Sequence, residues 1–170
     1  KGTRLQPLTL TRTKAMVPVV GKPLVQRVLE TILPSGVREV ILVVSPDDAA
    51  IRAHFARSAD LGVPVRFVQQ PQRLGMAKAL ALAAPYIDGP FVLSACDNLT
   101  TAAHVVDLAA AHRAHRAAAT LSLMPVELAQ VSKTGVVVWD GQAVQRIVEK
   151  PRPEEAPSTI SSLPLYVFAP

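Results

Sequence analysis

At 170 residues and 49% apolar, the chain is long enough to bury roughly two thirds of its unfolded surface, and 15 prolines and eight glycines punctuate it as they do a globular α/β domain. Its net charge of +5 is dispersed and accompanied by only four Phe, two Tyr and one Trp. No stacking platform for nucleic acid is evident, and phosphorylated small molecules suit the excess better. The single cysteine, Cys96, excludes an internal disulfide and fits a reducing compartment, and no apolar run reaches the ~20 residues needed to cross a bilayer, so no membrane contact and a cytoplasmic location are expected.

Lys1 stands directly before a Gly2-Thr3-Arg4 turn, with no preceding apolar segment to form a first strand, so residues 1–170 read as one domain presented as a fragment. Leu24, Val28, Leu29 and Ile32 fall on one face of a helix expected over 23–32, with Pro23 as its first residue. A β-branched run, 37–44, is closed by Ser45-Pro46, and 47–59 reads as a helix with acidic residues at its start. A strand over 64–69, an alanine-rich helix over 75–84 and a continuous apolar strand over 91–95 follow. The next helix, 101–116, is expected to be capped by Thr100 or Thr101. Residues 119–124, 135–139, 144–148 and 165–168 read as strands, with Asp140-Gly141 a hairpin turn. Alternating strands and helices imply an α/β, Rossmann-like sandwich: a mostly parallel sheet flanked by helices, with a strand-rich C-terminal part. Ligands are then expected at the carboxyl ends of the parallel strands, where Asp97 falls.

Several residues have types suited to phosphate chemistry. Gly2 permits close backbone approach to phosphate oxygens, and Arg4 adds a planar fork of donors, although an ordinary surface turn reads the same in isolation. Lys14 can neutralise charge developing on an attacked phosphorus, or be merely solvated. Asp97, between a strand and a helix, suits either a Mg²⁺ ligand or a helix cap. Glu149-Lys150 ends an apolar strand and could serve sugar hydroxyls and a phosphate, or be a solvated turn before Pro151. His112 and His115 lie three apart on one helix without a third metal ligand, which favours a solvated basic face; His54 and His104 have no sequence partner.

As a group, these motifs resemble the sugar-phosphate nucleotidyltransferases, or NDP-sugar pyrophosphorylases, which include glucose-1-phosphate thymidylyltransferases and mannose-1-phosphate guanylyltransferases. The likeness runs through Gly2-Thr3-Arg4, Lys14 to Pro18, Lys22-Pro23, Gln70-Pro71 with Gly75, Asp97, Gly135 and Glu149-Lys150-Pro151. It implies an enzyme that joins an NTP to a sugar 1-phosphate and releases pyrophosphate. Arg4 and Lys14 would be catalytic, Gly2, Thr3, Gln70 and Gly75 would hold the nucleotide, Gly135, Glu149 and Lys150 the sugar phosphate, and Asp97 the Mg²⁺. It also implies a homo-oligomer and further chain at both ends. Three departures stand out: Cys96 replaces a glycine before the metal aspartate, Ala15 replaces a glutamine common in thymidylyltransferases, and Ser162-Leu163-Pro164-Leu165-Tyr166 replaces an Asn-Ala-Gly-Ile-Tyr segment. The first and last favour a second reading, a catalytically silent regulatory homologue that binds NDP-sugar.

Overall fold

The computed structural model describes residues 5–57, 61–72 and 74–170. In chain order it contains β1 (Pro18–Val19), β2 (Lys22–Pro23), α1 (Leu24–Ile32), β3 (Val40–Val44), α2 (Ala49–Arg57), β4 (Val65–Gln69), α3 (Met76–Ala83) and β5 (Phe91–Ser94). It continues with α4 (Ala102–His115), β6 (Ala119–Pro125), β7 (Gly135–Trp139), β8 (Val144–Glu149) and β9 (Ile160–Phe168).

The sequence reading passed over the first hairpin, whose strands are two residues each. Val20 and Gly21 both lie at positive φ, 47° and 78°, as a tight two-residue turn between antiparallel strands demands. The Arg27 guanidinium clamps this turn through the carbonyl oxygens of Val19 (3.1 Å) and Val20. Pro23 is extended (φ −55°, ψ 144°) and caps α1 instead of opening it, so the helix begins one residue later than expected. The two aspartates assigned to the start of α2 precede it, and Asp48 turns back to accept bonds from Ser45 N (3.0 Å) and Ser45 Oγ (2.7 Å). The expected end of that helix, 58–60, lies outside the described residues.

Parallel pairing is narrower than the sequence pattern implies. Among the described residues it joins β3 to β4, in register from Val40↔Val65 to Val44↔Gln69, with α2 in the crossover. A second, five-stranded sheet contains β5 to β9, and every pairing in it is antiparallel. The reason is β9, which is nine residues long and runs opposite to β5, β6 and β7. Its C-terminal half pairs with β5 (Phe91↔Phe168 to Ser94↔Leu165), and its first residues reach β7 (Val136↔Ser161). The sequence reading covers only 165–168 of this strand and omits 160–164, Pro164 included. Pro164 is accommodated inside the strand because the β6–β9 register shifts between Leu121 and Leu123, where a missing amide donor breaks no ladder.

Among the described residues two hydrophobic cores result. One gathers Ala15, Val25, Leu29, Val40, Val44 and Ile51; the other gathers Val28, Ile32, Val105, Leu108, Leu165 and Val167. Helix α1 contributes to both. Thr101 caps α4 by accepting from His104 N (3.2 Å). His112 is buried and not on a solvated face: its Nδ1 meets Thr120 Oγ1 at 3.0 Å, while His104 Nε2 meets the buried Ser122 Oγ at 2.7 Å. Both histidines therefore pin α4 to β6. No described helix is long and apolar enough to cross a membrane.

Candidate active site

Strand ends build the site. Gln70 N donates to Val44 O (2.8 Å), which carries the β3–β4 ladder one step past Gln69 and sets Gln70 beside Ser45. Beyond β5, a turn closed by Asn98 N to Ala95 O (3.2 Å) presents Cys96 and Asp97. Ser45, Gln70, Cys96 and Lys14 all line one cavity of about 730 Å³, whose further wall comes from the loop between Gln6 and Thr13. Lys14 owes its position to its neighbour: it opens a 3₁₀ turn, Lys14–Met16, in which Ala15 is buried in the first core.

Across 83 residues of sequence, Lys14 Nζ and Asp97 Oδ2 meet as an ion pair. Their side chains are 37% and 35% exposed, so solvent screens the pair, whose net worth is within about 1 kcal/mol. A ligand with denser charge can separate them at little cost. Although Cys96 is an exposed residue, desolvation at its sulfur, and then the Asp97 charge, push the thiol above its ordinary range, which keeps it protonated near pH 7. Gly75 lies at φ 87° at the start of α3 and accepts from Gln70 Nε2 (3.3 Å). A Cβ there would meet nothing within 4 Å, so backbone conformation, not crowding, requires glycine.

Gly135, Glu149 and Lys150 form a second cluster. Gly135 faces Glu149 in the β7–β8 register, and a Cβ on Gly135 would sit 3.0 Å from Ile147 Cγ2 and 3.1 Å from Glu149 Oε2. Lys150 adopts a left-handed backbone (φ 49°), anchored by its N–H on Thr134 O (3.0 Å), and its Nζ lies 3.0 Å from Glu149 Oε1. Such a conformation is costly for a lysine and aims two exposed, opposite charges outward. Along β9, Ser161 beside β7 is four residues beyond Leu165 beside the end of β5, or ~13 Å. The second cluster thus lies past the same end of β5 as Asp97.

The structure brings Lys14 and Gln70 to one cavity, joins Asp97 to it through the Lys14 ion pair and ties Gly75 to Gln70; it groups Gly135, Glu149 and Lys150 apart from them. Gly2, Thr3 and Arg4 lie outside the described residues. The sequence reading missed Ser45 and Asp48 in the cavity wall, although a Ser-Pro-Asp-Asp segment after a strand is a recognisable side-chain-stabilised turn. Among the described residues no three His, Cys, Asp or Glu side chains gather into a metal cluster. Asp97 is nevertheless a suitable donor for Mg²⁺, which binds through one or two carboxylates and completes its octahedron with water and substrate phosphates.

The chain belongs to the nucleotidyl transferase family, whose model matches residues 1–170. It is a sugar-1-phosphate nucleotidyltransferase, of the class that makes an NDP-sugar and pyrophosphate from an NTP and a sugar 1-phosphate. It is 33% identical over 171 residues to a UTP–glucose-1-phosphate uridylyltransferase of Haloferax volcanii, covering 100% of this chain and 69% of the relative. A Streptococcus pneumoniae enzyme of the same name is 29% identical, covering 99% of this chain and 67% of the relative. Among solved structures, a UTP-bound UDP-glucose pyrophosphorylase from Acinetobacter baumannii superposes with a TM-score of 0.83 at 25% identity, over 99% of this chain and 70% of the other. A UDP-glucose pyrophosphorylase complexed with UDP-glucose has a TM-score of 0.86 at 23% identity, over 99% and 72%, which bears on the fold.

Proposed function

We propose that the chain condenses UTP with glucose 1-phosphate, in the presence of Mg²⁺, to give UDP-glucose and pyrophosphate. The observation that carries this reading is the pairing of Asp97 with Lys14, which lines one cavity together with Gln70. The names of the relatives support the choice of uridine and glucose, and Ala15, where thymidylyltransferases tend to carry glutamine, agrees with it. Gln70 and the Gly75 turn hold the base, and Gly2 and Thr3 approach the phosphates. Gly135, Glu149 and Lys150 receive the sugar phosphate. Its phosphate oxygen attacks the α-phosphorus in line; the new P–O bond forms as the bond to the β-phosphate oxygen breaks, and the electron pair leaves with pyrophosphate. Lys14, drawn off Asp97 by the triphosphate, stabilises charge at the α-phosphorus, and Arg4 holds the departing pyrophosphate. Mg²⁺, held by Asp97, would neutralise phosphate charge. No protein nucleophile is needed, which suits a neutral Cys96. A cytoplasmic location and a homo-oligomeric assembly are part of the same proposal.

The test is pyrophosphate release by the whole protein with Mg²⁺, crossing the common NTPs with glucose, mannose and N-acetylglucosamine 1-phosphates. Release is expected with UTP and glucose 1-phosphate. Release with another pair would overturn the substrate assignment; silence across the panel together with NDP-sugar binding would favour the regulatory homologue.

A further inference from the structure

Among the described residues, two buried polar side-chain atoms have no hydrogen-bond partner: Thr13 Oγ1 and Asn98 Nδ2. One is the chain neighbour of Lys14 and the other of Asp97. Buried polar groups elsewhere are satisfied: Ser122 by His104, His112 by Thr120, Ser161 by Thr134, and Gln26 by Glu30 and His54. In both residues the main chain is secured, through Met16 N to Thr13 O (3.0 Å) and Asn98 N to Ala95 O (3.2 Å), so only the side-chain heads are left over. Comparison with Thr101 sharpens the point. Thr101 opens α4 and caps it with its hydroxyl, whereas Thr13 opens the Lys14–Met16 turn and makes no such bond. A threonine at a helical start that forgoes its cap, and an amide buried without an acceptor, are costs that folding alone does not explain.

We propose that Thr13 and Asn98 are two further substrate-holding residues of the transfer site, donating from Thr13 Oγ1 and Asn98 Nδ2 to phosphoryl oxygens of the bound nucleotide once the Lys14–Asp97 pair opens. This rests on the proposed nucleotidyl transfer. Thr13 already lines the cavity beside Lys14. An amide Nδ2 can only donate, a hydroxyl can donate, and phosphoryl oxygens are the strongest acceptors that the reaction brings to Lys14 and Asp97. Both atoms thus wait unpaired in the free protein for a partner that arrives with the substrate.

Two readouts on the full-length protein test this: the melting temperature without ligand, and the Kd for UTP with Mg²⁺, measured by calorimetry for wild type, Thr13→Val, Thr13→Ser and Asn98→Ala. An orphan group makes no bond to lose, so the unliganded Tm of Thr13→Val and Asn98→Ala should hold or rise. Their Kd should weaken about tenfold each, as expected for a lost bond to a charged acceptor, while Thr13→Ser should retain wild-type affinity. A fall of several degrees in unliganded Tm with unchanged Kd would overturn the proposal, because the atoms would then be bonded to buried water and purely structural. Loss confined to glucose 1-phosphate binding would overturn the assignment to the nucleotide. Wild-type protein that binds no nucleotide would sink the transferase reading as well, whereas wild-type binding with undiminished variants would sink this inference alone.

Discussion

Lys14 reaches Asp97 because Ala15 is fixed in a core, so the ammonium is positioned by its backbone and keeps a weak, screened partner. A cation placed that way contributes most when charge builds on the α-phosphorus. Lys14→Ala should therefore lower kcat by on the order of a hundredfold or more, with a much smaller change in nucleotide Kd, as separated by single-turnover and binding measurements. Equal losses in both would make Lys14 a binding residue only. Gly135 is constrained by proximity instead. An alanine methyl at 3.0–3.1 Å from Ile147 Cγ2 and Glu149 Oε2 must turn the Glu149 carboxylate aside, since that is the more flexible neighbour. Gly135→Ala should raise KM for the sugar phosphate about fivefold, the worth of one hydrogen bond, and leave KM for the NTP nearly unchanged in steady-state kinetics. A rise in the NTP term instead would place this glycine in the nucleotide half.

At α1, Lys22, the buried Gln26 and Arg27 converge on Glu30. The Lys22 hydrogen bond chiefly, with help from Gln26 and the two positive charges, holds the Glu30 carboxyl below its ordinary range. A carboxylate depressed in the folded state adds stability that is present above the unfolded pKa and is lost as pH falls through the folded one. Glu30→Gln should therefore cost up to about 1 kcal/mol at neutral pH, given the exposure of the pair, and progressively less as acidification protonates the folded carboxyl, in thermal melts from neutral to acid pH. A constant difference at all pH values would exclude the ion pair as its source. Elements such as α1, α4 and β7 were legible because their apolar spacing or β-branched runs match one period and their ends carry Pro, Thr or Gly signals. What was not legible was either too short to carry a period or depended on partners distant in sequence. Two-residue strands β1 and β2 hold no periodicity, β9 hides a proline in its own bulge opposite β6, and the antiparallel sheet follows from where β9 inserts. The candidate site divides the same way: the residue types at Lys14, Asp97, Gly135 and Glu149 showed in the sequence, while the Lys14–Asp97 meeting and the orphaned heads of Thr13 and Asn98 exist only after folding.

At the scale of the molecule, the β3–β4 pair and the five-stranded sheet share no ladder hydrogen bonds among the described residues, and the two cores meet through α1. Val25 and Leu29 face the first core, which also grips Ala15 under Lys14; Val28 and Ile32 face the second, against Leu165 and Val167 of β9. A helix shared in this way couples the Lys14 side of the site to the Asp97 side, because either can shift only by repacking one face of α1. Leu29→Ala and Ile32→Ala each open a cavity that costs about 2–5 kcal/mol. They should nevertheless act on different amides in native-state hydrogen exchange: Leu29→Ala speeding β3 and β4 more than β9, and Ile32→Ala the reverse. The two halves then open as separate units, and a ligand that bridges Lys14 and Asp97 should restore common protection in both variants. Equal acceleration of both sheets by either substitution would mean that the molecule opens as one unit, with α1 a member of a single core and not the coupling between two.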